Sequence, residues 1–204
     1  PVCPEVLGGL DTPRAPAELQ PDGRVVNADG EDVTAAYQAG AEAAARLSAD
    51  KIGVISTVFT HNSRCYPEQI LARSPKKLVV LSCGCPDLAR LVEENLGDPA
   101  GMALVEADLR RELDEMVYRD KIQCCVLGCT HYPLVEESIH KLYPHLTLID
   151  PAHGMARHLR DDLAARGLLR EGEGPGRLDI YTTGDVEQYA LRAAQAGLGP
   201  VSSV

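Results

Sequence analysis

The residues with the most chemistry per position are Cys129, Thr130 and His131. They follow the apolar run Ile122-Gln123-Cys124-Cys125-Val126-Leu127 and Gly128, and they precede Tyr132-Pro133-Leu134. The run reads as a buried strand that stops at the glycine and turns into a helix. Beside a helix start, unpaired amides and the helix dipole favour negative charge, so a thiolate at Cys129 or a substrate carboxylate is stabilised there. Thr130 can donate to a carboxylate oxygen. His131 can exchange a proton with the thiol or with the substrate. On the physics of the corner alone, a functional and a merely structural role both stand.

The other thiols and imidazoles read differently. Cys124 and Cys125 lie inside the strand and are core residues. Cys65 is incidental at a helix start, and His140, His145, His153 and His158 follow no ligand spacing. Cys129 and His131 are two apart at a turn with no second matched pair, so no metal is expected at the corner. Cys83-x-Cys85 is a further pair that could ligate zinc, but a structural role at a strand end is preferred.

The elements that must position this corner follow from the rest of the chain. Asp32 or Thr34 caps an Ala-rich helix over Ala35 to Leu47. Strands are expected near 51–57, 77–82, 122–128, 145–149 and 178–182. Helices are expected over 64–73, behind Cys85-Pro86, over 101–119, and from Pro133 to Leu142. Two more follow, one behind Asp150-Pro151 that ends at Gly167 and one from Gly184-Asp185 to near Gly197. The first 30 residues are rich in Pro and Gly, with a short strand at Arg24-Val25-Val26, and residues 170–176 form a polar loop. Short apolar strands alternating with helices indicate an α/β fold, with a mainly parallel sheet flanked by helices. Ligands of such sheets bind at the carboxyl ends of the strands. Three segments deliver polar groups to that edge: Ser56-Thr57 with Thr60 and Ser63, Cys83-Gly84-Cys85-Pro86, and Gly128-Cys129-Thr130-His131. If their strands are neighbours, one crevice collects them.

Composition narrows the function. The chain has 204 residues, 45% of them hydrophobic and 25% charged, with the balance of an ordinary globular protein. Twenty Lys+Arg against 30 Asp+Glu give a net charge of −10, which repels a phosphate backbone and speaks against nucleic acid as a partner. No apolar run approaches the roughly 18 residues of a membrane span, and no secretory leader opens the chain. Seven cysteines, an odd number placed mostly in apolar runs, suit a reducing, cytoplasmic compartment. The first residue is Pro, so the start is expected to be processed or cut.

Leu127-Gly128-Cys129-Thr130-His131-Tyr132-Pro133-Leu134 resembles the second cysteine motif of the glutamate racemases. Ile52 to Thr57 with Thr60, Ser63, Tyr66 and Ile70 resembles the first strand and helix of the family's second lobe, except that Ser56 stands where Gly is usual. Cys85-Pro86 with Leu91-Val92-Glu93 is similar to the family's Ala-Cys-Pro segment and its acidic residue. Ile149-Asp150-Pro151 and Tyr181-Thr182-Thr183-Gly184-Asp185 resemble its closing segments. The likeness runs from about residue 33 to about 199.

The resemblance implies two pseudo-symmetric α/β lobes with glutamate bound between them. It implies cofactor-independent racemisation that supplies D-glutamate for peptidoglycan, with two thiols, one per face of Cα, alternating as base and acid. Cys129 would be one catalytic thiol and His131 its proton-assisting, substrate-contacting partner. Thr130 and Thr57 would contact the substrate, and Glu93 would assist His131 or the substrate ammonium. The expected layout is an irregular segment (1–31), a lobe carrying the second catalytic cysteine (32–145), and elements returning to the first lobe (146–204).

The family's Asp-Ser-Gly turn and Cys-Asn-Thr motif have no counterpart in the sequence. Cys3 is followed by Pro4-Glu5. The expectation is an activity impaired by the absence of the first catalytic cysteine, and a homo-oligomer or a missing-lobe partner that covers the exposed surface. Two alternatives stand beside it: a single-cysteine reaction of a related fold, and a degenerate, non-catalytic lobe acting as a binding or regulatory module.

Overall fold

The computed structural model describes residues 18–19, 25–26, 34–170, 172, 180, 182 and 184–197. Most of the expected strand over 178–182 and most of the first 31 residues lie outside the described residues. Within that segment, β1 (Glu18–Leu19) and β2 (Val25–Val26) pair antiparallel. The main body then runs α1 (Thr34–Arg46), β3 (Lys51–Ser56), α2 (Val58–Ser63), α3 (Cys65–Arg73), β4 (Val79–Gly84), α4 (Leu88–Asn95) and α5 (Pro99–Asp114). After these come β5 (Cys124–Gly128), α6 (Glu136–Leu142), β6 (Thr147–Ile149), α7 (Pro151–Ala165) and α8 (Val186–Gln195).

The sheet has the order β4-β3-β5-β6 and every pairing in it is parallel. The α/β reading of the sequence therefore holds. Side chains alternate across a strand, and the two faces separate cleanly. Ile52 and Val54 of β3, with Cys124 and Val126 of β5, pack under α1 and α3 beside Cys65, Tyr66 and Ile70. Ile55, Cys125 and Leu127 point the other way, under α4, α5 and α6, against Leu88, Val92, Leu109, Leu113 and Ile139. α7 lies against α1, where Gly154 comes so close that a Cβ on it would sit 2.6 Å from the Cβ of Ala39.

The helix ends follow local chemistry. Asp98 accepts from the amides of Ala100 and Gly101, and Asp150 from that of Ala152, each just ahead of a proline at the first helical position. Gly97 and Gly167 take positive φ at turns. The expected helix over 64–73 has a second one before it, α2, because Thr57 caps a turn at Thr60. Arg64, in left-handed conformation, separates the two. The expected long helix to Arg119 instead ends α-helically at Asp114 and finishes in a π-turn over Glu115–Arg119. Thr147–Ile149, just beyond the expected division at 145/146, pairs in parallel with β5. No described helix is long and apolar enough to cross a membrane.

Candidate active site

The topology fixes where a ligand can sit. The chain leaves β3 toward the α3 face and reaches β4, then crosses over the opposite face to β5 and continues on that face to β6. The connections leaving the adjacent strands β3 and β5 therefore diverge to opposite faces, and the carboxyl ends of strands at such a point are where parallel sheets bind ligands. Ser56 pairs in register with both Gly84 and Gly128. Thr57, Cys85 and Cys129 thus emerge side by side from three neighbouring strands, and the Cys85 amide donates to the Ser56 carbonyl at 2.8 Å. The convergence expected of the three segments is present.

Gly128 is required at this edge. A Cβ there would meet the Ile55 carbonyl oxygen at 2.9 Å, Tyr66 at 3.0 Å and Ser56 Cβ at 3.1 Å. Cys129, one residue on, is buried at 8% exposure, with its Sγ 3.7 Å from His131 Nδ1. The other ring nitrogen of His131, Nε2, lies 3.7 Å from Glu93 Oε2 on α4. Glu93 is in turn ion-paired through Oε1 with Arg192 on α8. The result is a thiol–imidazole–carboxylate–guanidinium series, with only the thiol fully buried.

The sequence reading places Cys129 at the start of a helix, and here the structure corrects it. Pro133 lies in a first turn, where its missing amide hydrogen costs nothing. The chain instead closes a 3₁₀ turn over Tyr132–Val135, with Tyr132 N bonding to Cys129 O at 3.2 Å and Leu134 N to His131 O at 3.1 Å. The α-helix begins only at Glu136. His131, with Nδ1 3.7 Å from Sγ, is thus a group placed to exchange a proton with Cys129, and the α-helix start lies several residues further on.

Of the five expected site residues, the structure brings Cys129, His131 and Glu93 together. Thr130 is exposed on the turn between the thiol and the imidazole. Thr57 is buried, and its hydroxyl accepts from the Thr60 amide at 3.3 Å and donates to Thr60 Oγ1 at 3.2 Å, so it caps α2. Arg192 escaped the sequence reading, for it stands 99 residues from Glu93 and no local pattern marks it. The two strand thiols behave as core residues: both are buried, Cys124 is pushed up to about 11 by burial, and Cys125 is also raised by burial. A second cluster, at the end of β4, joins Cys83, Cys85 and Glu112. Cys85 also meets the Tyr132 hydroxyl, which tends to lower its pKa, but Cys83 and burial raise it by more.

Residues 1–67 match the family model described as 2-thiouracil desulfurase, a third of the chain that stops before β4 and β5. A curated glutamate racemase of Levilactobacillus brevis is 35% identical over 159 residues, 76% of this chain and 55% of the relative. One of Carboxydothermus hydrogenoformans is 37% identical over 135 residues, 66% of this chain and 48% of the relative. The crystal structure of a glutamate racemase isoform from Bacillus anthracis superposes with a TM-score of 0.71 at 32% identity, covering 83% of this chain and 63% of that one. A glutamate racemase of Francisella tularensis, solved in complex with D-glutamate, gives a TM-score of 0.68 at 27% identity, over 83% of this chain and 62% of that one. The chain spans about half the length of the curated relatives it matches. In sequence and in fold, the chain resembles the glutamate racemases over a little more than half of their length.

Proposed function

We propose that this chain supplies one face of a cofactor-independent glutamate racemase site, in which Cys129 exchanges the Cα proton of glutamate. One observation carries the reading: the Cys129–His131–Glu93 series stands at the sheet's switch point, in a chain similar to glutamate racemases. The Cα–H of an amino acid is a very weak acid, so its removal needs a base held against it in a site shielded from water. Cys129 as thiolate takes the proton, and His131 accepts or returns the thiol's own proton through Nδ1. Glu93, held by Arg192, keeps the imidazole oriented through Nε2. Thr130, exposed at the mouth, and Thr57, at the end of β3, contact the substrate carboxylates. The product serves peptidoglycan synthesis in the cytoplasm.

Racemisation needs a second acid on the opposite face. The resemblance assigns it to a Cys-Asn-Thr motif that the sequence does not contain. The chain by itself is therefore proposed to exchange the Cα proton of one enantiomer and not to invert it. A partner, a second copy or the missing lobe, would cover the exposed apolar side chains Leu159 on α7, Leu168 and Leu169 just beyond it, and Leu191 on α8.

The test is deuterium incorporation at Cα, followed by NMR for each enantiomer of glutamate in D₂O. The expected result is wash-in to one enantiomer only, abolished in Cys129→Ala. Exchange that survives Cys129→Ala, or no exchange of either enantiomer by the folded chain, overturns the proposal. The second outcome favours a non-catalytic, binding lobe.

A further inference from the structure

The end of β4 holds a group of side chains that the racemase reading does not use. Residues two apart on a strand share a face, so Cys83 and Cys85 both point toward α4 and α5. There Glu112 comes down from α5 to meet them. Cys83 Sγ donates to Glu112 Oε2 at 3.2 Å, and the three ligand atoms lie within 4.8 Å of one another. The other carboxylate oxygen, Oε1, is held by Arg111 Nε at 3.1 Å. Cys85 is buried, while Cys83 and Glu112 are half-buried and open a way in from solvent.

We propose that Cys83, Cys85 and Glu112 form a binding site for a thiophilic divalent cation of the zinc type, with its fourth position open to water. Thiolate and carboxylate donors suit Zn²⁺, and three protein ligands with one open position is an established arrangement for it. Tetrahedral zinc bonds hold two sulfurs about 3.8 Å apart, inside the 4.8 Å that bounds the three ligand atoms. Charge gives a second argument. Two thiolates and one carboxylate carry three negative charges, and Arg111 with a divalent cation balances them. Without a cation, the Cys83 thiol donates to Glu112. Binding replaces protons: the cation enters, two S–H bonds break, two metal–sulfur bonds and one metal–oxygen bond form, and two protons leave to solvent. The site stands independently of the racemase reading, because neither Cys83 nor Glu112 belongs to the Cys129 series.

The test titrates Zn²⁺ into the reduced full-length chain against a chromogenic chelator and measures proton release by calorimetry in two buffers. One equivalent of Zn²⁺ and about two protons per chain are expected. Cys83→Ser and Glu112→Gln change half-buried positions and should each weaken binding at least tenfold. Cys129→Ser should leave it unchanged. Titration with Cd²⁺ gives a second readout: thiolate-to-metal absorption of the intact site should fall by about half in Cys83→Ser, whatever the change in stability. The proposal is overturned if no stoichiometric binding is found, if binding is indifferent to Cys83→Ser and Glu112→Gln, or if it is lost in Cys129→Ser, which would place the metal at the thiol–imidazole pair.

Discussion

Two strand ends, one on either side of β3, carry cysteines in contrasting surroundings. At the end of β5, Cys129 faces an imidazole, and a carboxylate lies behind that imidazole. At the end of β4, Cys83 and Cys85 face each other and a carboxylate. The imidazole can take a thiol proton and return it, so the β5 thiol is equipped to cycle. At the β4 end, Cys83 and burial push the Cys85 thiol up, so that thiol is held neutral. The type of residue is the same and the register differs by nothing, since Ser56 pairs with both Gly84 and Gly128. What separates a candidate catalytic thiol from a candidate ligand pair is the first titratable neighbour.

The largest expected effect comes from exchanging roles. In the deuterium assay, Cys129→Ser should lower exchange by about 10²–10⁴-fold, the range for losing an acid–base group. Cys83→Ser should leave it within about twofold. If the two substitutions cost the same, the contrast between the strand ends fails. Next in size are the groups behind His131. Glu93→Gln removes the charge that faces Nε2 and also loosens Arg192, so exchange should fall about tenfold with little change in KM, since Glu93 is read as positioning the imidazole. Arg192→Ala should follow in the same direction with a smaller loss. An unchanged pH profile in Glu93→Gln would count against that role and leave only a structural one.

A smaller effect, read as stability, concerns the glycine that lets β5 end where it does. Gly128→Ala pushes a methyl against the Ile55 carbonyl, Tyr66 and Ser56. Two of these contacts are close to backbone or to a packed ring, so the strain cannot be shed by rotating a side chain. The midpoint of urea unfolding should drop by the equivalent of about 1–3 kcal/mol, and Cys129 should lose exchange with it because its turn moves. Gly84→Ala on the other strand end meets Val58 Cα and His61 near 3.0 Å. It should disturb α2 while leaving the Cys129–His131 pair intact.

Much of this was legible in the sequence. The runs around Val54, Val80 and Val126 are too short for buried helices and end in Ser, Cys or Gly, and each proved to be a parallel strand. Asp150-Pro151 marked a helix start, because the Asp side chain caps a first-turn amide and the proline has none to leave unpaired; Asp98-Pro99 makes a second such start, two residues ahead of the helix expected over 101–119. The crevice was foreseeable because strand ends collect ligands. What escaped depends on contacts far apart in sequence or on competition within one turn. Arg192 reaches Glu93 across 99 residues. Glu112 meets Cys83 from a helix whose own periodicity gives it no distinction. Pro133 was read as opening an α-helix, but the chain first makes a 3₁₀ turn at Tyr132–Val135 and the α-helix starts only at Glu136. The likeness of residues 1–67 to a desulfurase family begins in the stretch read as irregular, where Pro and Gly hide periodicity, and continues through the helix and strand expected over 35–57.

The smallest effect concerns the thiols buried within β5, as opposed to the one at its end. Burial holds Cys124 neutral up to about pH 11, against a usual thiol value of 9.0, and Lys76 nearby offsets this only in part. The folded state thus keeps a proton that the unfolded chain releases at lower pH. The stability this lends is fully present below pH 9.0 and is lost as pH rises through about 11. Cys65, Cys85, Cys125 and Tyr143 are raised in the same direction, so the loss is shared and begins in the same window. Urea unfolding at pH 8, 9 and 10 should show stability falling progressively, with Cys124 accounting for at most about 2–3 kcal/mol by pH 11. Cys124→Val fills the same space without a titratable proton, so its profile should be flatter over that range. Cys129→Val serves as the contrast, because the end thiol has an imidazole to share its proton and the strand thiol does not. If Cys124→Val leaves the alkaline slope unchanged, the burial of the strand thiols is not what sets it.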